Sequence, residues 1–285
     1  MADITSNGRP IPFTDRYFTP ARDSSDLLAD PASLRERYQE DGFVWLRGVL
    51  RPGDVRRLRA RYFAGFAPGY LAAGTRAEDG VFSGRRPGDL PPHGVEGHPA
   101  HAFVRSSTFL DFVDDPALTR VAEALLGGPC TQLPRRILRH FDRAAPTASR
   151  AHADYRYLDQ GSDRLITIWI PLGDCPLPTG GLIYLAGSHR IAPERLAGLR
   201  ARSDRPDDTR AFSHDLAWVS DQLGCPWSWA DYAAGDVTVH SPYTVHASLD
   251  TRTDAMRASV DVRYLADGAA VDPRWLEPWA GDDGN

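Results

Sequence analysis

The sequence contains no lysine: all 33 of its basic residues are arginine. That absence excludes Schiff-base enzymes, P-loop nucleotide hydrolases and protein kinases, each of which needs the amine at a defined point in its chemistry. A GC-rich genome favouring arginine codons is the simplest source of the bias. Cysteine is scarce too. Cys130, Cys175 and Cys225 lie far apart without paired spacing, which suggests neither a disulfide framework nor a zinc site and fits a reducing cytoplasm. They read as small buried residues. No apolar run approaches membrane-spanning length, and the start Met1-Ala2-Asp3-Ile4-Thr5-Ser6 lacks the basic and apolar regions of a signal peptide, so neither membrane association nor export is expected. A net charge of −5 without a concentrated basic stretch gives little reason to expect nucleic acid as a partner, and leaves a small-molecule substrate as the default.

What is present describes one elaborated domain of 285 residues, 42% hydrophobic and 25% charged, long enough to bury a large core. Residues 1–30 show no period and read as an arm laid over the body rather than as core. Residues 31–127 read as a helical buttress. Asp30-Pro31 caps a short helix that Asp41-Gly42 stops, a strand follows at 43–46, and helices are expected at 52–63 and 115–126, the last with cap, first-turn proline and closing Gly127. Between them, 83–101 is dense in glycine, proline and histidine and is expected to be a long irregular loop. Its His93, His98 and His101 match no strand or helix face, so solvent-exposed or substrate-facing roles are favoured over metal ligation.

From 128 to 265 the pattern changes to short apolar segments separated by turns, at 136–141, 152–158, 165–172, 181–185, 236–240 and 258–265. Repeated short strands behind clustered helices predict an α+β fold that is mostly β: a jelly roll, or cupin-like double-stranded β-helix, buttressed by N-terminal helices. Residues 191–234, with Trp218, Trp227 and Trp229, interrupt the strands as an insertion with some helix, placed to cover the open end. Residues 266–285 form a C-terminal tail.

The most informative constellation is His152-Ala153-Asp154, answered downstream by His246. A strand places residues i and i+2 on one face, so His152 and Asp154 can address one ion, and His246 completes a two-histidine, one-carboxylate facial triad. Three coordination positions stay open, enough for a chelating organic acid and dioxygen. His240 is a rival to His246, but eleven residues beyond it stands Thr251, whereas eleven beyond His246 stands Arg257, a residue that can hold a carboxylate. His189, following Gly187-Ser188, reads as a structural brace.

Trp169-Ile170-Pro171-Leu172, Gly180-Gly181-Leu182, Gly187-Ser188-His189-Arg190, Gly235-Asp236-Val237 and the segment from His246 to Arg257 occur in the order and rough spacing of the phytanoyl-CoA dioxygenase family. The chain resembles that family from about Asp41 to Tyr264, with the insertion and both ends unmatched. The resemblance implies an oxygenase using Fe(II), 2-oxoglutarate and O2. It casts His152, Asp154 and His246 as iron ligands and Arg257 as the anchor of the distal 2-oxoglutarate carboxylate. Ser248 would add a hydroxyl to that carboxylate, Trp169 would lie against the cosubstrate, and the strand 136–140 would line the same pocket with a face the sequence leaves open. The implied chemistry couples oxidative decarboxylation of 2-oxoglutarate to succinate with oxidation of a substrate C–H bond, while the protein holds the metal and orients the substrate. Asp154 argues against halogenation, for which related enzymes replace the carboxylate with a small residue.

Bacterial relatives often tailor antibiotics and other natural products, which makes a secondary metabolite the expected substrate, hydroxylated or oxidatively cyclised. Tyr155, Tyr157, Trp227 and Trp229 would suit a hydroxyl-rich or glycosidic ligand. Two other classes remain open: a cupin-type metal-dependent isomerase or hydrolase, which has no use for Arg257, and a non-catalytic binding relative, which has no use for an intact triad.

Overall fold

The computed structural model describes residues 4–280 except 92, 94, 145–147, 158–161 and 205–210, with the side chains of 156 and 157 also left aside. The chain begins with a hairpin, β1 (Ile4–Ser6) and β2 (Arg9–Ile11), then β3 (Phe18–Pro20). Helix α1 (Pro31–Asp41) starts where the Asp30 carboxylate accepts from the Ala32 and Ser33 amides, and it ends at left-handed Gly42. Strand β4 (Phe43–Leu46) leads to α2 (Pro52–Phe63), then α3 (Pro99–Phe103), α4 (Ser107–Val113) and α5 (Pro116–Leu126). Helix α5 opens on Asp115, whose side chain accepts from Ala117, and closes on Gly127. The strands β5 (Cys130–Gln132), β6 (Ile137–Phe141), β7 (Leu165–Pro171) and β8 (Leu182–Leu185) follow. Helices α6 (Pro193–Ala201) and α7 (Leu216–Leu223) precede β9 (Trp227–Trp229), β10 (Val237–His240), β11 (His246–Ser248) and β12 (Arg257–Ala266).

Two sheets face each other. The larger runs β4-β10-β7-β12-β5, with β6 also paired to β12, and the smaller runs β11-β8-β9-β3. This is the jelly-roll arrangement expected, and the strand alternation explains its layers. On the outer face of the larger sheet, Ile168, Ile170, Val237, Val239, Val260 and Val262 pack against α1, α2 and α5 in the main core. On the outer face of the smaller sheet, Ile183, Leu185, Val245 and Ala247 form a second core with α6 and α7. The residues between the sheets are of another kind: β12 turns Arg257, Asp261 and Arg263 inward, and β7 turns Trp169.

Five expectations are corrected. The N-terminal arm is part of the body: β3 pairs in parallel with β9, and Ile11 and Phe18 are core residues. The 83–101 loop ends in α3, and of its histidines His98 and His101 are buried while His93 is half-buried. His98 caps α3 by accepting from the Ala100 amide, and its ring neighbours His93, His101 and His140. His140 in turn bonds the Tyr62 and Tyr70 hydroxyls. Residues 152–157 form no strand; a bridge and a 3-10 turn stand there instead, and residue 158 lies outside the described residues. Trp227 is a core residue of β9 whose ring N–H donates to the Leu216 carbonyl, so it is not free to meet a ligand, and half-buried Trp229 packs edge-on against Phe13. The C-terminal tail, too, carries buried residues, Trp275 and Trp279, in the main core.

Two outcomes follow. Gly180, at φ +89, sits where an added Cβ would meet the Leu249 carbonyl oxygen at 2.5 Å; Gly180→Ala should lower unfolding free energy by ~2 kcal/mol or more in urea titrations. Burial, and then the neighbouring His93 and His101, lower the His98 pKa to about 3. The unfolded chain therefore takes up a proton at ~6.5 that the fold refuses, and stability should fall as pH drops from there toward 3. His98→Asn keeps the cap and should flatten that slope by about one proton, read from urea midpoints at pH 7 and pH 5.

Candidate metal centre

His152 is tied to His246 by an isolated antiparallel bridge, with the His152 amide donating to the His246 carbonyl at 3.0 Å and the reverse bond at 2.9 Å. This pairing, rather than a strand through 152–158, brings the distant ligands together. Asp154 opens a 3-10 turn whose next residue, Tyr155, donates its amide to the Pro242 carbonyl at 2.6 Å. One ligand atom each from His152, Asp154 and His246 lies within 4.8 Å of the others. Asp154 Oδ1 is 3.7 Å from Nε2 of both histidines. Each histidine donates Nδ1–H to a carbonyl, His152 to Arg150 at 2.6 Å and His246 to Thr244 at 3.0 Å, which leaves both Nε2 lone pairs facing the carboxylate. Burial pushes the pKa of His152 down and that of His246 well down, with neighbouring His152 and His240 adding to the latter. Neutral imidazoles are what a cation requires.

The other carboxylate oxygen is held separately. Asp154 Oδ2 accepts from the Thr167 hydroxyl at 3.0 Å and lies 3.5 Å from Arg263 Nη2 and 3.6 Å from His240 Nε2. Burial alone would raise this carboxyl, yet His240, Arg263 and His246 outweigh it and hold it well below its ordinary value. His240, weighed in the sequence as a rival ligand, thus stands beside the opposite oxygen, its Nδ1 3.3 Å from the Tyr184 hydroxyl. Thr167, Arg263, Asp261 and Arg139 were missed by sequence reasoning. In the alternation of 257–263, arginine, serine, aspartate and arginine share one face of a strand whose other face is apolar, but nothing local says what that face meets.

Thr167 is paired with Arg263 across β7 and β12, and Trp169 with Asp261 one step further in. A cavity extends from the triad past these residues to Arg257. The Arg257 guanidinium lies 4.5 Å from the Phe141 ring centre and 5.9 Å from that of Trp169. Its Nε and Nη1 are buried without a hydrogen-bond partner. Burial lowers its pKa to about 10, against the opposing pull of Cys175 and Asp261. A planar cation in that position calls for a planar anion, and a carboxylate accepts two parallel bonds from it. Arg139 pairs with Asp261, which settles which face of β6 turns inward. Ser248 is buried on β11, but its Oγ already accepts from the Ser149 amide at 2.7 Å, and Ser149 and Leu182 line the cavity there. Its hydroxyl proton alone is left to give. The donor set fits a divalent metal at one end, and the orphaned guanidinium fits a dicarboxylate reaching the other. His189 donates to the Gln39 carbonyl at 2.9 Å, a brace as expected.

The sequence model described as phytanoyl-CoA dioxygenase matches residues 38–259. A curated relative, the 1-deoxypentalenic acid 11-beta-hydroxylase of Streptomyces arenae, is 26% identical over 241 residues, covering 81% of this chain and 79% of its own. Among solved structures, the epimerase SnoN in complex with Fe3+, alpha ketoglutarate and nogalamycin RO superposes with a TM-score of 0.60 at 22% identity, over 86% of this chain and 87% of that one. The non-heme alpha ketoglutarate dependent carbocyclase SnoK from nogalamycin biosynthesis gives 0.58 at 23%, over 85% and 86%. At these identities the solved structures speak to the fold.

Thr167→Val keeps shape and strand propensity but removes the bond to Asp154 Oδ2. Metal affinity, measured by calorimetric titration with Co(II), should fall roughly tenfold or more, as losses of outer contacts to ligands do; an unchanged affinity would mean that the hydroxyl does not orient the carboxylate.

Proposed function

Because the chain belongs to the phytanoyl-CoA dioxygenase family, we propose that it is an iron(II)- and 2-oxoglutarate-dependent oxygenase that oxidises a C–H bond of a small secondary metabolite, with His152, Asp154 and His246 as metal ligands and Arg257 as cosubstrate anchor. One observation carries the reading: a facial triad and a buried guanidinium lacking a partner stand at the two ends of one cavity. Iron with 2-oxoglutarate supplies the oxidising power, as decarboxylation of the keto acid is coupled to reduction of dioxygen.

The chain's own side chains do the positioning. Arg257 grips the far carboxylate, Trp169 and Phe141 flank that guanidinium, and Ser248 has one proton to add. The Arg139–Asp261 pair keeps two further charges mutually satisfied along the way. Thr167 and Arg263 fix the ligand carboxylate so that one oxygen faces the metal. Relatives whose names describe a hydroxylase, an epimerase and a carbocyclase support a natural product as substrate, with hydroxylation and ring closure both within the reach of such a site. A cupin-type isomerase or hydrolase leaves Arg257 buried without purpose, and a non-catalytic binder leaves the triad so.

Supplied with Fe(II), 2-oxoglutarate and oxygen, the protein should release succinate. His152→Ala or Asp154→Ala should abolish that release with the fold retained by circular dichroism, and Arg257→Ala should raise the 2-oxoglutarate KM roughly ten- to a hundredfold, the worth of a lost charged hydrogen-bond pair. Undiminished turnover in either ligand variant would refute the assignment.

A further inference from the structure

The ends of several strands identify one face of the barrel. Thr167, near the start of β7, and His240, the last residue of β10, both flank Asp154. His246 begins β11 and is paired with Tyr184, next to last in β8. Chain leaving or entering the barrel at 155, 186–191 and 241–245 therefore does so at the end where the triad sits. A cleft of about 190 Å³, open to solvent, is built from these segments and from the insertion, and its walls include Ala153, Tyr155, Ile191, Leu196, Phe212 and Tyr243.

Two features define what such a cleft accepts. Among the described residues its walls are aliphatic and aromatic, with two phenols at the rim and one imidazole, His189, which already spends its Nε2–H on the Gln39 carbonyl. Tyr155 is 41% exposed and stacks on Tyr243 at 4.6 Å between ring centres, offering a flat π surface. Ala153 stands between His152 and Asp154, and Tyr155 directly follows Asp154, so the segment that lines the cleft is the one that carries two of the triad residues.

We propose that this cleft binds the body of the substrate, and that the substrate is an apolar ring system, aromatic or alicyclic, rather than a hydroxyl-rich glycoside. The proposal rests on the oxygenase reading for the word substrate and on the cleft alone for the chemical class. A sugar would bring several hydroxyls to walls with little to bond them, leaving desolvated polar groups unmatched. An apolar skeleton loses nothing there and is positioned by stacking and contact.

The test uses the full chain loaded anaerobically with Fe(II) and 2-oxoglutarate, with anilinonaphthalene sulfonate as a ring-bearing probe and maltose as the sugar. Probe fluorescence should titrate to a single saturable site that maltose does not displace. Leu196→Asp should weaken it tenfold or more and Tyr155→Ala about fivefold, both with the visible absorption band of iron-bound 2-oxoglutarate intact, which certifies the fold and the metal centre. Probe binding unaltered in both variants, or displacement by maltose, overturns the proposal. Absence of the band in the unaltered protein overturns the oxygenase reading instead, and shows independently of the probe signal.

Discussion

Charge buried between two sheets is the constraint on which the rest of this molecule depends. The inner cavity carries Arg139, Arg257 and Arg263 against Asp154 and Asp261, in a setting where unpaired ions are costly. Arg139 pairs with Asp261, and Arg263 lies beside one oxygen of Asp154. Asp154 is divided between a face prepared for a cation and a face bonded by Thr167 and Arg263, and Arg257 is left with nitrogens that no protein group meets. A dication and a dicarboxylate complete this interior, so their binding is coupled to the stability of the fold as well as to chemistry. The surrounding hydrophobic layers, with helices behind one sheet and the insertion behind the other, supply the burial that makes so polar an interior tolerable.

The outer layers were the most legible part of the sequence. Helix α1 was readable because Asp30, Pro31 and Gly42 each fix one backbone feature, and the larger sheet because its apolar residues alternate. The convergence of His152, Asp154 and His246 was readable from residue type and spacing, although the geometric reason differs from the one the spacing suggested. Backbone bonds between residues 152 and 246 and a 3-10 turn achieve what a continuous strand was expected to do. Such a bridge joins residues far apart in sequence, and no local pattern announces it.

What stayed hidden depends on tertiary pairing. Strand β3 has only three residues and becomes a strand because β9 is there to receive it. The histidines of 83–101 looked like a polar loop because burial of a histidine leaves no local periodicity. Trp227 looked like a ligand platform, but its indole is consumed by the Leu216 carbonyl and by packing. Arg263 and Thr167 were invisible for a different reason: each is unremarkable alone and acquires meaning only when β7 and β12 set them side by side at the carboxylate.

The pairing of β3 with β9 carries a consequence for how the molecule is made. Thr19 lies opposite Ser228, so a segment near the start of the chain waits, during synthesis, for a partner emitted after most of the polypeptide. Until then the edge it will occupy does not exist, and Phe18 has nowhere to go. Contacts of such long sequence separation slow folding, and they make completion of the smaller sheet a late event. The nascent chain can assemble the α1–α5 layer first, but the smaller sheet, which carries His246 on β11, is complete only when β9 has emerged to receive β3.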